Sequence, residues 1–235
     1  MENEQPFWKA KTALTCYLTL AAGILVGGIA LAIILLGAGL DYENLTFPVA
    51  LISLPVNEVI LLIITILFAR QNGANLKQLG LKKPSLKTLT VVSLAAVLLL
   101  FLAGAISTVQ ETIVGPDPEA ELLVDAVLAQ DLLQLVALVG ISVAIVGPVE
   151  ELAFRGFVQR GLENSYGPTM GLIFASVLFG LLHGLNSWRS IIPVTIVSLF
   201  LGYVWQKTDK NTTAVGWMHG LYDAIAIIIT YFAYA

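Results

Sequence analysis

Charge, cysteine and histidine are all scarce in this sequence. Charged residues make up 12% of the 235, and there are two histidines and one cysteine. The single cysteine, Cys16, excludes an internal disulfide and a cysteine metal cluster, and its place inside an apolar run makes it packing material. No HExxH helix occurs, so the usual zinc-protease signature is missing. There is no basic stripe with interleaved aromatics, and no nucleic-acid partner is expected. No internal repeat occurs either, which argues against a proton-coupled carrier built from matched halves. The first apolar run, roughly 23 residues, is longer than a signal-peptide core and is followed by no Ala-x-Ala site, so it reads as a retained helix.

What remains is 57% hydrophobic, the composition of an integral, multi-pass membrane protein whose main partner is the lipid bilayer. Apolar runs long enough to cross a bilayer, about 17 to 25 residues, predict an all-α bundle of seven transmembrane helices. They are Leu14 to Leu36, Thr46 to Ala69, Leu86 to Ser107, Leu132 to Val149 continuing to Leu162, Pro168 to Leu185, Ile191 to Gln206 and Thr213 to Tyr234. The acidic amphipathic stretch Glu119 to Gln130 is the place for an eighth, or for a surface helix in an external loop. Residues 1–131 form an N-terminal unit and residues 132–235 a core unit.

Lysine and arginine follow alternate loops. Lys9, Lys11, Arg70, Lys77, Lys82, Lys83, Lys87, Arg155, Arg160, Lys207 and Lys210 fall on one side, while Asp41, Glu43, Glu111, Asp117, Glu119, Glu121, Asp125 and Asp131 fall on the other. By the positive-inside rule the N-terminus is cytoplasmic, and a bacterial plasma membrane is the expected location. Trp8, Tyr17, Trp188, Trp205 and Trp217 lie near proposed span ends and read as interface anchors.

The stretch from Gly147 to Gly161, GPVEELAFRGFVQRG, puts charge where lipid should be. An ionised side chain at mid-bilayer costs roughly 3 kcal/mol, so such residues need partners or a polar cavity. Glu151 and Arg155 are one helical turn apart and can pair, whereas Glu150 points away and is left free for chemistry. Pro148 is expected to kink the helix beside it. Both histidines lie in later apolar helices: His183 in FGLLHG, and His219 in WMHGLYD one turn before Asp223. Polar groups from three spans can meet only in the bundle interior. The pairs Gly180/Gly184 and Gly216/Gly220 bracket the two histidines at a spacing that lets helices approach closely. Glu58, beside Asn57, is a further intramembrane acid, lining a substrate path or serving a structural role.

The ordered motifs Glu150-Glu151-x-x-x-Arg155, Phe179-x-x-x-His183 and His219-x-x-x-Asp223 resemble those of the CAAX protease and bacteriocin-processing (CPBP) family of intramembrane endopeptidases, which includes the type II CAAX prenyl endopeptidase. The segment Leu79 to Pro84 resembles a stretch common upstream of that core. The resemblance implies a helical membrane core around a polar chamber, and peptide-bond hydrolysis inside it near the cytoplasmic face. Its substrate would be a membrane-associated or lipidated peptide or protein. It further implies that Glu150 with His183 activates a water, that His219 and position 223 stabilise the oxyanion, that Glu151 and Arg155 orient the site, and that Phe179 packs beside the chamber.

Better-known family members have asparagine at position 223. Here Asp223 either carries a proton, orients the His219 ring, or helps hold a metal. Either no cofactor is used, or one divalent metal such as zinc is held by Glu150, His183 and His219 with water as the fourth ligand. The reading from a different class is a non-catalytic membrane scaffold, assembly factor or bacteriocin-immunity factor on the same fold.

Overall fold

The computed structural model describes residues 8–39 and 47–234. Every regular element among them is helical, with no strand. In chain order these are α1 (Ala10–Gly37), α2 (Phe47–Gln71), α3 (Leu86–Val114), α4 (Pro118–Val127), α5 (Leu132–Ile141), α6 (Gly147–Glu151), α7 (Arg160–His183), α8 (Ile191–Lys207) and α9 (Thr212–Tyr234). π-helical turns at Ser142–Val146 and Leu152–Gln159 join α5, α6 and α7 into one continuous run. The acidic pair Asp41 and Glu43 lies outside the described residues.

Among the described residues six helices are long and apolar enough to cross a membrane, rather than seven or eight. The difference has two causes. The fourth and fifth sequence segments form one 52-residue helical run, Leu132–His183. The acidic stretch yields only the ten-residue α4, too short to span. The long run nevertheless turns back at Gly167, where φ is +79° and the next residue is Pro168. Only glycine adopts that φ without strain, and proline then restarts a helix. After the turn Gly171 lies against the backbone of Glu163, where a Cβ would stand 2.5 Å from the Glu163 nitrogen. The two legs therefore run side by side.

One end of the bundle is clasped by polar contacts. The Ala10 amide donates to Ser165 Oγ at 2.8 Å, Lys210 pairs with Glu163 at 2.5 Å, and Lys82 pairs with Asp209 at 2.6 Å. The hydrogen bond and charge of Lys82 hold the Asp209 carboxyl below the usual carboxylate range. The segment Leu79 to Pro84 belongs to this clasp: Thr212 Oγ1 donates to the Leu79 carbonyl at 2.7 Å, and the Thr212 amide to the Gly80 carbonyl at 2.9 Å.

Trp8 and Trp205 are not interface anchors. Both are buried, because each indole N–H finds an internal acceptor: Trp8 donates to the Phe157 carbonyl at 2.8 Å and Trp205 to Thr212 Oγ1 at 3.0 Å. Trp8 also stacks on Phe157 with ring centroids 4.7 Å apart. Trp188 and Trp217, by contrast, are exposed, as an interface position requires.

The central feature is the crossing of α9 over the α5–α6 junction. A Cβ on Gly147 would collide with the Gly220 amide nitrogen, and one on Gly220 would lie 2.5 Å from the Ser142 carbonyl oxygen. Backbone therefore meets backbone here, as small residues permit. Gly180 serves a different contact, packing on the Ile191 and Thr195 turn of α8.

Candidate active site

Pro148 cannot supply the amide hydrogen that an α-helix needs at its position, and a π turn ends two residues before it at Val146. A second π segment begins straight after Glu151. The local distortion is thus a pair of widened turns flanking the two glutamates, in place of a simple proline kink. Buried helix of this kind holds Glu151 and Arg155 wholly inside the protein.

Glu151 and Arg155 form the expected pair, Oε2 to Nε at 3.0 Å. The guanidinium has two further anchors. Its Nη2 donates to the Ser198 carbonyl at 3.2 Å and to Ser198 Oγ at 3.1 Å, and its Cζ lies 4.9 Å from the Phe179 ring centre. The second Glu151 oxygen accepts from His219 Nδ1 at 2.9 Å. Glu151 is therefore a bridge between the arginine of one helical run and the histidine of α9. Neither Ser198 nor this bridge was apparent in the sequence, since Ser198 carries no motif and helical spacing reveals only contacts within one helix.

His219 Nε2 points the other way, toward Glu150 and Asp223. It stands 3.9 Å from Glu150 Oε2 and 3.7 Å from Asp223 Oδ2, beyond hydrogen-bond length in both cases. Asp223 consequently does not fix the ring in this arrangement; Glu151 does. One imidazole edge is tied down, and the other faces the space between two carboxylates.

His183, at the end of α7, has Nδ1 3.0 Å from the Phe179 carbonyl of its own helix. Its ring packs on Phe179 at 4.5 Å, and Phe179 also contacts His219 edge-on at 6.2 Å. Phe154 meets the same ring perpendicularly at 4.6 Å. Phe179 is thus the apolar wall between the two histidines. Glu150 and His183 line one cavity of about 140 Å³ with Glu58, Asn57 and Asn186 as its other polar residues.

Glu150, His183 and His219 do not close on one point as a metal would require. The Phe179 ring packs against both imidazoles. Among the described residues no three His, Cys, Asp or Glu side chains are placed to hold a metal ion. No step is routed through a metal.

Comparison with curated proteins and with solved structures yields no match. The comparison with family models does: residues 132–225, the stretch that carries all three motifs, match the family described as type II CAAX prenyl endopeptidase Rce1-like.

Proposed function

We propose that the protein is an intramembrane endopeptidase that hydrolyses a peptide bond of a membrane-associated or lipidated substrate. The observation that carries this reading is the shared cavity of Glu150 and His183, two residues 33 positions apart that line one small space inside an apolar bundle. A water held between them loses its proton to Glu150 as it attacks the carbonyl carbon. His183 orients that water. Glu150 then returns the proton to the departing amine, the usual double duty of a general base, worth about 10²–10⁴ in rate.

His219 serves the oxyanion. With both ring nitrogens protonated, Nδ1–H is fixed on Glu151 and Nε2–H is aimed at the region between Glu150 and Asp223. A preorganised donor of this kind is worth about 10²–10³ in turnover. Arg155 and Glu151 act as positioning residues behind it. The end carrying Lys82, Lys83 and Lys210 is assigned to the cytoplasm by the excess of lysine and arginine there.

The test compares new peptide N-termini in host membranes carrying wild type, Glu150→Ala or no copy. Cleavages present only with wild type identify the targets. If no terminus depends on Glu150 and Glu150→Ala restores every defect of the deletion, the protein is a scaffold instead.

A further inference from the structure

Glu58 has no task in the chemistry above, yet it sits in the cavity where that chemistry happens. It is 5% exposed, on the face of α2 that packs against α6, and its Oε2 meets no hydrogen-bond partner. An unsatisfied buried carboxyl is costly, and a charged one more so. The same cavity is lined by Glu150, so two carboxyl groups face one small space.

No lysine or arginine of this chain lines that space among the described residues. Arg155 cannot serve, because Glu151 and Ser198 already hold it. The remaining polar neighbours, Asn57 and Asn186, are neutral, and the wall beside Glu58 is aliphatic, formed by Leu54 and Leu61. An apolar wall ending at an acid with an unsatisfied oxygen suits a side chain with an aliphatic stem and a cationic head. Glu150 has to stay free to take a proton from water. Glu58 is the acid available to hold a cation.

We infer that Glu58 is a specificity-determining residue, binding the ammonium or guanidinium of a substrate lysine or arginine within two residues of the scissile bond. The inference rests on the endopeptidase reading and deepens it. A substrate with a neutral residue there leaves Glu58 buried and unpaired, the kind of loss by which sites built for a polar partner reject its absence.

The experiment sequences the residues around every Glu150-dependent cleavage in membranes carrying wild type, Glu58→Gln or Glu58→Asp, with the thermal midpoint of each purified protein measured alongside. Wild-type sites should be enriched in lysine or arginine within two residues of the cut. Glu58→Gln, which keeps the shape and removes the charge, should lower cleavage at those sites at least tenfold while cleavage at neutral sites persists. Glu58→Asp should keep the basic preference at a reduced rate, and serves as the test if Glu58→Gln does not fold. Three results overturn the inference: no basic enrichment in wild type, enrichment unchanged in Glu58→Gln, or an equal loss at basic and neutral sites with the midpoint unchanged. A complete absence of Glu150-dependent cleavage is a different outcome, which overturns the endopeptidase reading itself.

Discussion

Glu151 accepts a hydrogen bond from His219 Nδ1 at 2.9 Å while its other oxygen faces Arg155 Nε at 3.0 Å. One carboxylate therefore neutralises a buried arginine and fixes the orientation of an imidazole 68 positions away. Breaking a buried pair from one side leaves an uncompensated charge, which costs about 3–5 kcal/mol. Glu151→Gln should lower the thermal midpoint of the purified protein sharply. Arg155→Ala should do so less, because it removes the charge that is hardest to leave alone. Equal stability of Glu151→Gln and wild type would mean that the bridge is not structural.

The glycine crossing gives a prediction that does not depend on function. Gly147 and Gly220 meet backbone to backbone, so a methyl group at either position has no flexible side chain to displace. Gly147→Ala should cost about 1–3 kcal/mol or more, as overpacking does, and should loosen the His219–Glu151 contact. Gly28→Ala, whose added methyl meets nothing within 4 Å, should leave stability unchanged or slightly raised. Thermal unfolding in detergent checks the pair side by side.

Asp223 stands 3.7 Å from His219 Nε2 and does not hold the ring. A carboxylate there repels a developing oxyanion, whereas an amide can donate to it. Asp223→Asn should therefore turn over at least as fast as wild type, and Asp223→Ala more slowly than Asp223→Asn. Kinetics on a cleavage site identified in membranes decides. A loss of a hundredfold or more in Asp223→Asn would give the aspartate a role as acid or ligand that this account does not assign.

Among the described residues Glu150, His183 and His219 are not gathered as a metal site. Turnover should survive prolonged treatment with a strong zinc chelator such as 1,10-phenanthroline. Loss of activity on chelation, restored by added zinc, would require the three side chains to rearrange around an ion.

Much of this site was legible from sequence because its residues are out of place there. Charge in the middle of apolar runs, the four-residue spacing of Glu151 and Arg155, and two histidines confined to late helices are signals that a membrane composition makes conspicuous. The pairing of Gly216 and Gly220 with a close helix approach was also readable. Contacts between helices were less so. Spacing placed Asp223 on the face of His219, yet the ring is held by Glu151 from another helix, which only the α9 crossing brings near. The fourth and fifth segments read as two spans with a loop between them; Gly167 and Pro168 instead turn one helical run back on itself with almost no residues between the legs. Trp8 and Trp205 misled because an indole near a span end reads as an anchor until its N–H is seen to have an internal acceptor.

The central claim is that Glu150 takes the proton of the attacking water. It is tested by turnover of purified wild type and Glu150→Gln, in bilayer discs, on a peptide spanning a cleavage site found in host membranes. Glutamine keeps the size of the side chain and removes the base. The account predicts that kcat falls by about 10³-fold or more while KM and the thermal midpoint stay close to wild type. A Glu150→Gln protein that is folded and turns over within tenfold of wild type would contradict it.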